Sequence, residues 1–351
     1  MKNGLLKLSA MMLLLDCSAV YASDAASIIP VQEPGYSVRL TGLYLEPSAS
    51  NLVYAIFTTP LPLPAPNWQQ KVVNPKYSPA FDLGLRYNLI NGKDNVKFDW
   101  LYFNSNDSAA ASSVPNTSVG PVYYYGPAQQ FILNTSANST AKFNIDNANL
   151  VFGHLLNLTN NIQIQPFVGL SAAYLKEDIT NNYLGTDPVY GPYTHAVYTK
   201  STFTGIGPRI GLGSSYYFTN RFALTANVAG DLLAGILKYS TDFTSWTAYN
   251  ADNIHNSTPA NTSMANQNVN RVVPGVDAKI AIRYQIPFNQ SELTLQAGYL
   301  YAVYFNAINQ VLPSTLVPGS WEAGSVAIIN QAQYQSNIDL RGPFVSAIWK
   351  F

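Results

Sequence analysis

The chain has 351 residues, only 11% of them charged, with 19 Lys and Arg balanced against 19 Asp and Glu. Soluble domains carry about 25% charged residues, and here Asn, Ser, Thr, Gln and 24 Tyr occupy the difference rather than long aliphatic runs. The neutral balance argues against a nucleic-acid partner, while abundant tyrosine with little charge suits a sheet that is apolar on one face and polar on the other.

At the N-terminus, Lys2 and Lys7 flank the start of an apolar run, Leu8–Leu15, and Val20-Tyr21-Ala22 follows as a small-residue site. This pattern predicts a cleaved signal peptide over residues 1–22 and a mature chain of 23–351. The run is too short for a membrane-spanning helix, which needs about 20 residues. Cys17, the single cysteine, lies inside the predicted leader, and Asp16 before it is the wrong neighbour for lipid attachment. A mature chain without thiols excludes disulfide scaffolds and cysteine-based metal or redox sites. Loss of Lys2, Lys7 and Asp16 leaves 17 basic against 18 acidic residues. No later apolar run reaches the length of a helical span, so a membrane-embedded form requires a closed sheet.

Period-two alternation then recurs along the chain. Phe81, Leu83, Leu85, Tyr87 and Leu89 alternate with Asp82, Gly84, Arg86 and Asn88; after the turn 91–95, Val96, Phe98, Trp100 and Tyr102 alternate with Lys97 and Asp99. With side chains pointing to opposite faces in turn, this is a hairpin with one lipid-facing and one water-facing side. Ten strands are expected near residues 36–45, 80–89, 96–103, 143–156, 162–175, 203–218, 221–235, 273–286, 292–306 and 338–351. In the fourth the alternation slips between Ile145 and Leu150, which a bulge would explain. Leu52–Phe57 and Val119–Tyr125 are further strand candidates that leave twelve strands open.

Short connections near 90–95, 157–161, 219–221 and 287–291 alternate with long ones at 46–79, 104–142, 176–202, 236–272 and 307–337. That asymmetry is the pattern of an outer-membrane barrel with tight periplasmic turns and long external loops, and an even strand count places both termini in the periplasm. The long connections include Pro60–Pro66 and Asn256–Asn270, whose composition resists regular structure. The fold expected is therefore all-β: a closed antiparallel transmembrane barrel. Tyr44, Tyr87, Tyr102, Tyr174, Tyr216, Phe222, Tyr284, Tyr299 and Trp349 fall near strand ends, as interfacial girdles require. Val345, Ala347, Trp349 and Phe351 share one face of the last strand, which resembles the signal recognised by barrel-assembly machinery.

Several stretches resemble the Legionella-type major outer membrane protein family of porins. They are Leu43–Pro47, Phe81–Tyr87, Phe203–Gly211, Val273–Lys279 and Leu293–Ile308. The resemblance implies a porin-like protein of the bacterial outer membrane, with host contact through its loops. It identifies no substrate. The family's major members carry cysteines in the mature chain; none is present here, so covalent cross-linking is not expected.

No enzyme chemistry stands out. His154 falls at a strand end, while His195 and His255 fall in long connections; His255-Asn256-Ser257 lacks the third orienting group of a triad. No metal or phosphate-binding spacing appears, and no cofactor is expected. The inward parity instead collects charge: Arg39, Asp82, Arg86, Lys97, Asp99, Arg209, Asp277, Lys279, Arg283 and Arg341 are the expected pore-lining residues, seven basic against three acidic. Arg86 is expected opposite Asp99 across the first short hairpin. Charge rings set pore selectivity, so the expectation is passive diffusion of small polar solutes or ions. Eight strands, however, leave an interior just filled by side chains. The alternative at ten strands is a non-conducting surface barrel whose loops bind a partner, and an outer-membrane hydrolase ranks third.

Overall fold

A computed structural model describes residues 28–30, 32–59, 67–114, 117–122, 133–187, 191–247, 260–288, 291–318 and 326–351. The expected signal peptide, Pro60–Pro66 and His255 lie outside the described residues. Among the described residues fourteen strands follow one another: β1 (Gly35–Ala49), β2 (Val53–Thr59), β3 (Asn67–Val72), β4 (Ser78–Asn88), β5 (Asp94–Ser112), β6 (Ser118–Pro121) and β7 (Leu133–His154), then β8 (Leu156–Asn157), β9 (Ile162–Asp187), β10 (Gly191–Tyr217), β11 (Phe222–Thr247), β12 (Ala260–Phe288), β13 (Ser291–Pro318) and β14 (Val326–Lys350).

Ten of them close a ring. β1 pairs with β4, β4 with β5, β5 with β7, and β7 with β9; β9 to β14 pair consecutively, and β14 returns to β1 from Ser37↔Lys350 to Ala49↔Ile338. All ring pairings are antiparallel, so every ring strand has two neighbours and no edge is left for lipid to meet. The twelve-strand alternative is corrected by the pairing of the extra segments. β2 pairs with β3 and β6, while β5 and β7 stay hydrogen-bonded to each other throughout Asp94–Ser112. The extra strands sit beside the ring rather than within it.

The strands are far longer than a bilayer needs. β9 has 26 residues and β12 has 29, where about 9–11 cross a membrane. Much of what the sequence suggested as long loops is strand that continues past the lipid-facing band. Along β9 the outward residues are Val168, Leu170, Ala172 and Tyr174, and then Lys176, Asp178, Thr180 and Asn182. The inward residues invert in step: Gln163, Gln165 and Ser171 give way to Leu175, Ile179 and Tyr183. β11 changes the same way between Ile236 and Lys238 on its outer face.

This inversion corrects the bulge expected in β7. Its register with β5 and with β9 runs unbroken past Ile145–Leu150, the one shift lying at Asn134/Ser136. Phe143, Ile145, Asn147, Asn149 and Val151 all face inward. The strand does not slip; its surroundings change, from water to lipid outside and from apolar packing to a polar chamber inside.

Both ends of the ring are overlaid by chain. At the long-hairpin end, Asn306 adopts a left-handed conformation with φ 53. The β13–β14 register breaks there, between Tyr304 and Ile308. The hairpin turns inward, and Ala307–Leu312 are buried without alternation. The Asn309 amide donates to Ser201 Oγ at 3.1 Å, Gln310 Nε2 donates to Thr199 Oγ1 at 3.4 Å, and Thr241 Oγ1 donates to the Val311 carbonyl. The β1–β2 connection folds over the same mouth, with Asn51 Nδ2 donating to Glu177 Oε2 at 2.6 Å and Tyr183 donating to the Tyr54 carbonyl. At the short-turn end, Ile29 packs against Tyr217 and Ala223, and the Ile28 amide donates to the Asn160 carbonyl.

Candidate functional site: a charged chamber beneath an apolar ring

Inside the lipid-facing band the strands enclose a cavity of about 270 Å³. Arg39, Asp82, Arg86, Lys97, Asp99, Arg209, Asp277, Lys279 and Arg283 line it, nine of the ten expected residues. They come from β1, β4, β5, β10 and β12, brought together by ring closure alone.

The tenth expected residue is a correction. Arg341 points outward, its side chain 50% exposed, and its Nε donates to Glu46 Oε2 at 2.9 Å. It shares parity with Val345, Ala347 and Trp349, which face lipid. The period of two therefore excludes it from the lumen. Asp231 joins the interior instead. It is 5% exposed and shares the inward parity of Thr225 and Asn227, a signal present in the sequence.

Two ion-pair clusters hold the chamber wall. Arg39 Nη2 donates to Asp82 Oδ1 at 3.0 Å and to Asp99 Oδ1 at 2.7 Å, and Lys279 Nζ reaches Asp82 Oδ2 at 3.2 Å. Arg209 donates through Nη1 to Asp231 and through Nη2 to Asp277 at 2.6 Å. Asp82, Arg209 and Asp231 are buried, and compensation by opposite charge is what makes that burial tolerable.

The remaining three cations are different. The β4–β5 register sets Arg86 opposite Lys97 and leaves Gly84 opposite Asp99. The expected Arg86–Asp99 pair is thus displaced by two residues. Arg86 Nε donates to Asn88 Oδ1 at 2.7 Å, Lys97 Nζ to Gln165 Oε1 at 2.6 Å, and Arg283 Nη2 to the Tyr217 hydroxyl. None of these acceptors is charged.

Toward the long-hairpin end the chamber gives way to a band of apolar side chains contributed by seven of the ten ring strands. Leu43, Ala80, Phe103, Ile145, Leu175, Phe203 and Leu237 are successive register partners through β1, β4, β5, β7, β9, β10 and β11. Five of the seven, Phe103 through Leu237, have no exposure at all. Leu233 of β11, Ile308 of β13, and Ile338 and Leu340 of β14 belong to the same core. Burying each such side chain contributes roughly 1.5–3 kcal/mol, and no polar atom among them offers water a partner. The sequence reading treated the interior as uniformly polar and missed this layer; its signal was the parity reversal within β7, β9 and β11.

Above the ring, the few buried ionisable groups stand outside the membrane-spanning segments. Burial pushes the Glu177 carboxyl up to about 7, against the Asn51 hydrogen bond, which favours the charged form. Burial pushes the His195 imidazole down to about 3; its ring lies 5.0 Å from Tyr183 and 6.4 Å from Phe243, centroid to centroid. At the short-turn rim, His154 Nδ1 is paired with Asp94 Oδ1 at 2.5 Å.

One family model, described as the Legionella pneumophila major outer membrane protein precursor, matches residues 28–351. Among solved structures the chain is similar to the outer membrane protease OmpT from Escherichia coli, at 9% identity over 90% of this chain and 96% of that one, with a TM-score of 0.40. It is also similar to Ail, the attachment invasion locus protein of Yersinia pestis, at 9% identity over 60% and 93%, TM-score 0.25. A Pseudomonas aeruginosa FadL homologue is similar at 8% identity over 93% and 95%, TM-score 0.28. No curated protein matches the chain.

Proposed function

The chain belongs to the Legionella pneumophila major outer membrane protein family and is an outer-membrane β-barrel, and on that premise we propose that its resting state is a closed surface barrel. In this reading the long hairpins meet a partner outside the cell, and the lumen is not an open diffusion pore. The short-turn end faces the periplasm, and β14, with Phe351 just after it, is the strand offered to barrel-assembly machinery.

The observation that carries the reading is the run of buried apolar side chains from Leu43 to Leu237, spanning seven of the ten ring strands, with the inturned β13–β14 hairpin packed against it. Ions and small polar solutes need a hydrated path, and apolar constrictions gate by excluding water. A ten-stranded ring is narrow enough for side chains to close it. This reading assigns no catalytic role to the described histidines, His195 being buried and His154 paired with Asp94.

A second reading is passive diffusion of small polar solutes or ions once the hairpin withdraws. The charged chamber below the ring favours it, because such a wall suits hydrated ions. Swelling of proteoliposomes in an isotonic small sugar distinguishes the two. Vesicles holding the folded mature chain are expected to swell no faster than empty ones; swelling at porin-like rates would favour the second reading.

A further inference from the structure

We propose that Arg86, Lys97 and Arg283 form a binding site for a small divalent oxyanion of the phosphate class. The site goes beyond the reading above, since it holds whether or not the barrel conducts.

Arg86 and Lys97 are direct register partners with both side chains facing the cavity. Like charges placed opposite each other in a sheet are destabilising, and inside the barrel the screening that bulk water would give is weaker. Arg283 lies within Coulombic range of both. Each of the three already uses one donor on a neutral side chain, and further donors remain. Arg86 Nη2 and Arg283 Nε are buried with no hydrogen-bond partner. Unmet buried donors on two guanidinium groups are what an oxyanion satisfies, because the planar fork matches paired oxygens.

No protein carboxylate fills this role. Asp99 is the acidic neighbour of Arg86 and Lys97, and it is taken by Arg39 at 2.7 Å. Asp82, Asp231 and Asp277 are engaged by Arg39, Lys279 and Arg209. Among the described residues the chamber thus carries six cations against four carboxylates, an excess of two positive charges. A dianion neutralises that excess, and the cavity of about 270 Å³ has room for one. A monovalent halide would neutralise only half of that excess.

The test uses the folded mature chain in phosphate-free detergent micelles, titrated calorimetrically with inorganic phosphate at constant ionic strength, chloride being the balancing anion. One phosphate per barrel is expected. Lys97→Gln should weaken binding at least ten-fold, and Lys97→Arg should restore most of it. Melting supplies an independent readout. Without phosphate, Lys97→Gln should melt above the wild type, because repulsion is relieved. With saturating phosphate the order should reverse, because the ligand stabilises the form it binds. Absence of binding heat, several phosphates per barrel, or equal affinity in a folded Lys97→Gln, Arg283→Gln double variant would overturn the proposal.

Discussion

One guanidinium on β10, that of Arg209, bridges Asp231 on β11 at 2.8 Å and Asp277 on β12 at 2.6 Å, tying three consecutive strands together inside the lumen. Asp231 has 2% side-chain exposure and Arg209 has 8%. Removing the cation alone strands two carboxylates, the kind of change that costs about 3–5 kcal/mol. Arg209→Met is therefore expected to lower the urea midpoint of the folded barrel strongly. Adding Asp231→Asn should recover part of the loss, since one buried charge is then removed.

Arg341 provides the contrast. Its partner Glu46 lies on the outer face, and the arginine is half exposed. Solvent and headgroups screen such a pair, which adds little to stability. Arg341→Ala should leave the unfolding midpoint almost unchanged and leave phosphate affinity untouched. A loss comparable with that of Arg209→Met would place Arg341 in the interior.

Glu177 makes the outer closure pH-dependent. Its folded-state carboxyl titrates near 7 against an ordinary 4.5, chiefly because of burial. The folded state therefore binds more protons than the unfolded one between those values, and stability falls as pH rises through that window. The stabilising state is the protonated one, complete at the acidic end and lost above neutrality. Wild type should melt lower at about pH 8 than at about pH 5, with this group contributing to the difference. Glu177→Gln should flatten that part of the profile. An unchanged slope in the variant would show that other groups carry it.

The inward turn of the β13–β14 hairpin depends on one backbone position. Asn306 holds φ at 53, a region that asparagine tolerates, glycine enters freely and β-branched residues avoid. Asn306→Gly should preserve the closed hairpin. Asn306→Val should cost about 1–3 kcal/mol and expose the hairpin to protease. Equal protease resistance in both variants would mean that the bend does not depend on this conformation.

The strand number, the ring and the lipid-facing parity were legible because lipid outside and water inside impose a strict period of two on strands such as β4 and β5. Legibility failed where the environment changed along one strand. In β7 and β9 the apolar face moves from outside to inside as the chain leaves the lipid band, so one continuous strand reads as a strand followed by a polar loop. Arg341 was misplaced against its own parity, which Val345 and Trp349 already fixed. Asp231 was missed although Thr225 and Asn227 share its face. The Arg86–Lys97 opposition depends on the register of the 90–95 turn, a two-residue matter that alternation alone does not determine. The bend at Asn306 leaves no mark in the pattern, because Ala307–Leu312 are buried on both faces.

The closed lumen is tested most directly by single-channel recording of the folded mature chain in a planar bilayer, beside a variant with hairpin residues 309–335 replaced by a short Gly-Ser turn. Circular dichroism should show that both are folded β-barrels. The account predicts silence from the wild type and discrete openings from the shortened variant, because only the latter lacks the inturned stretch, Leu312 included, that packs against the apolar band. Steady openings from the wild type at every applied voltage would contradict it, and would make the chamber the lining of an open pore.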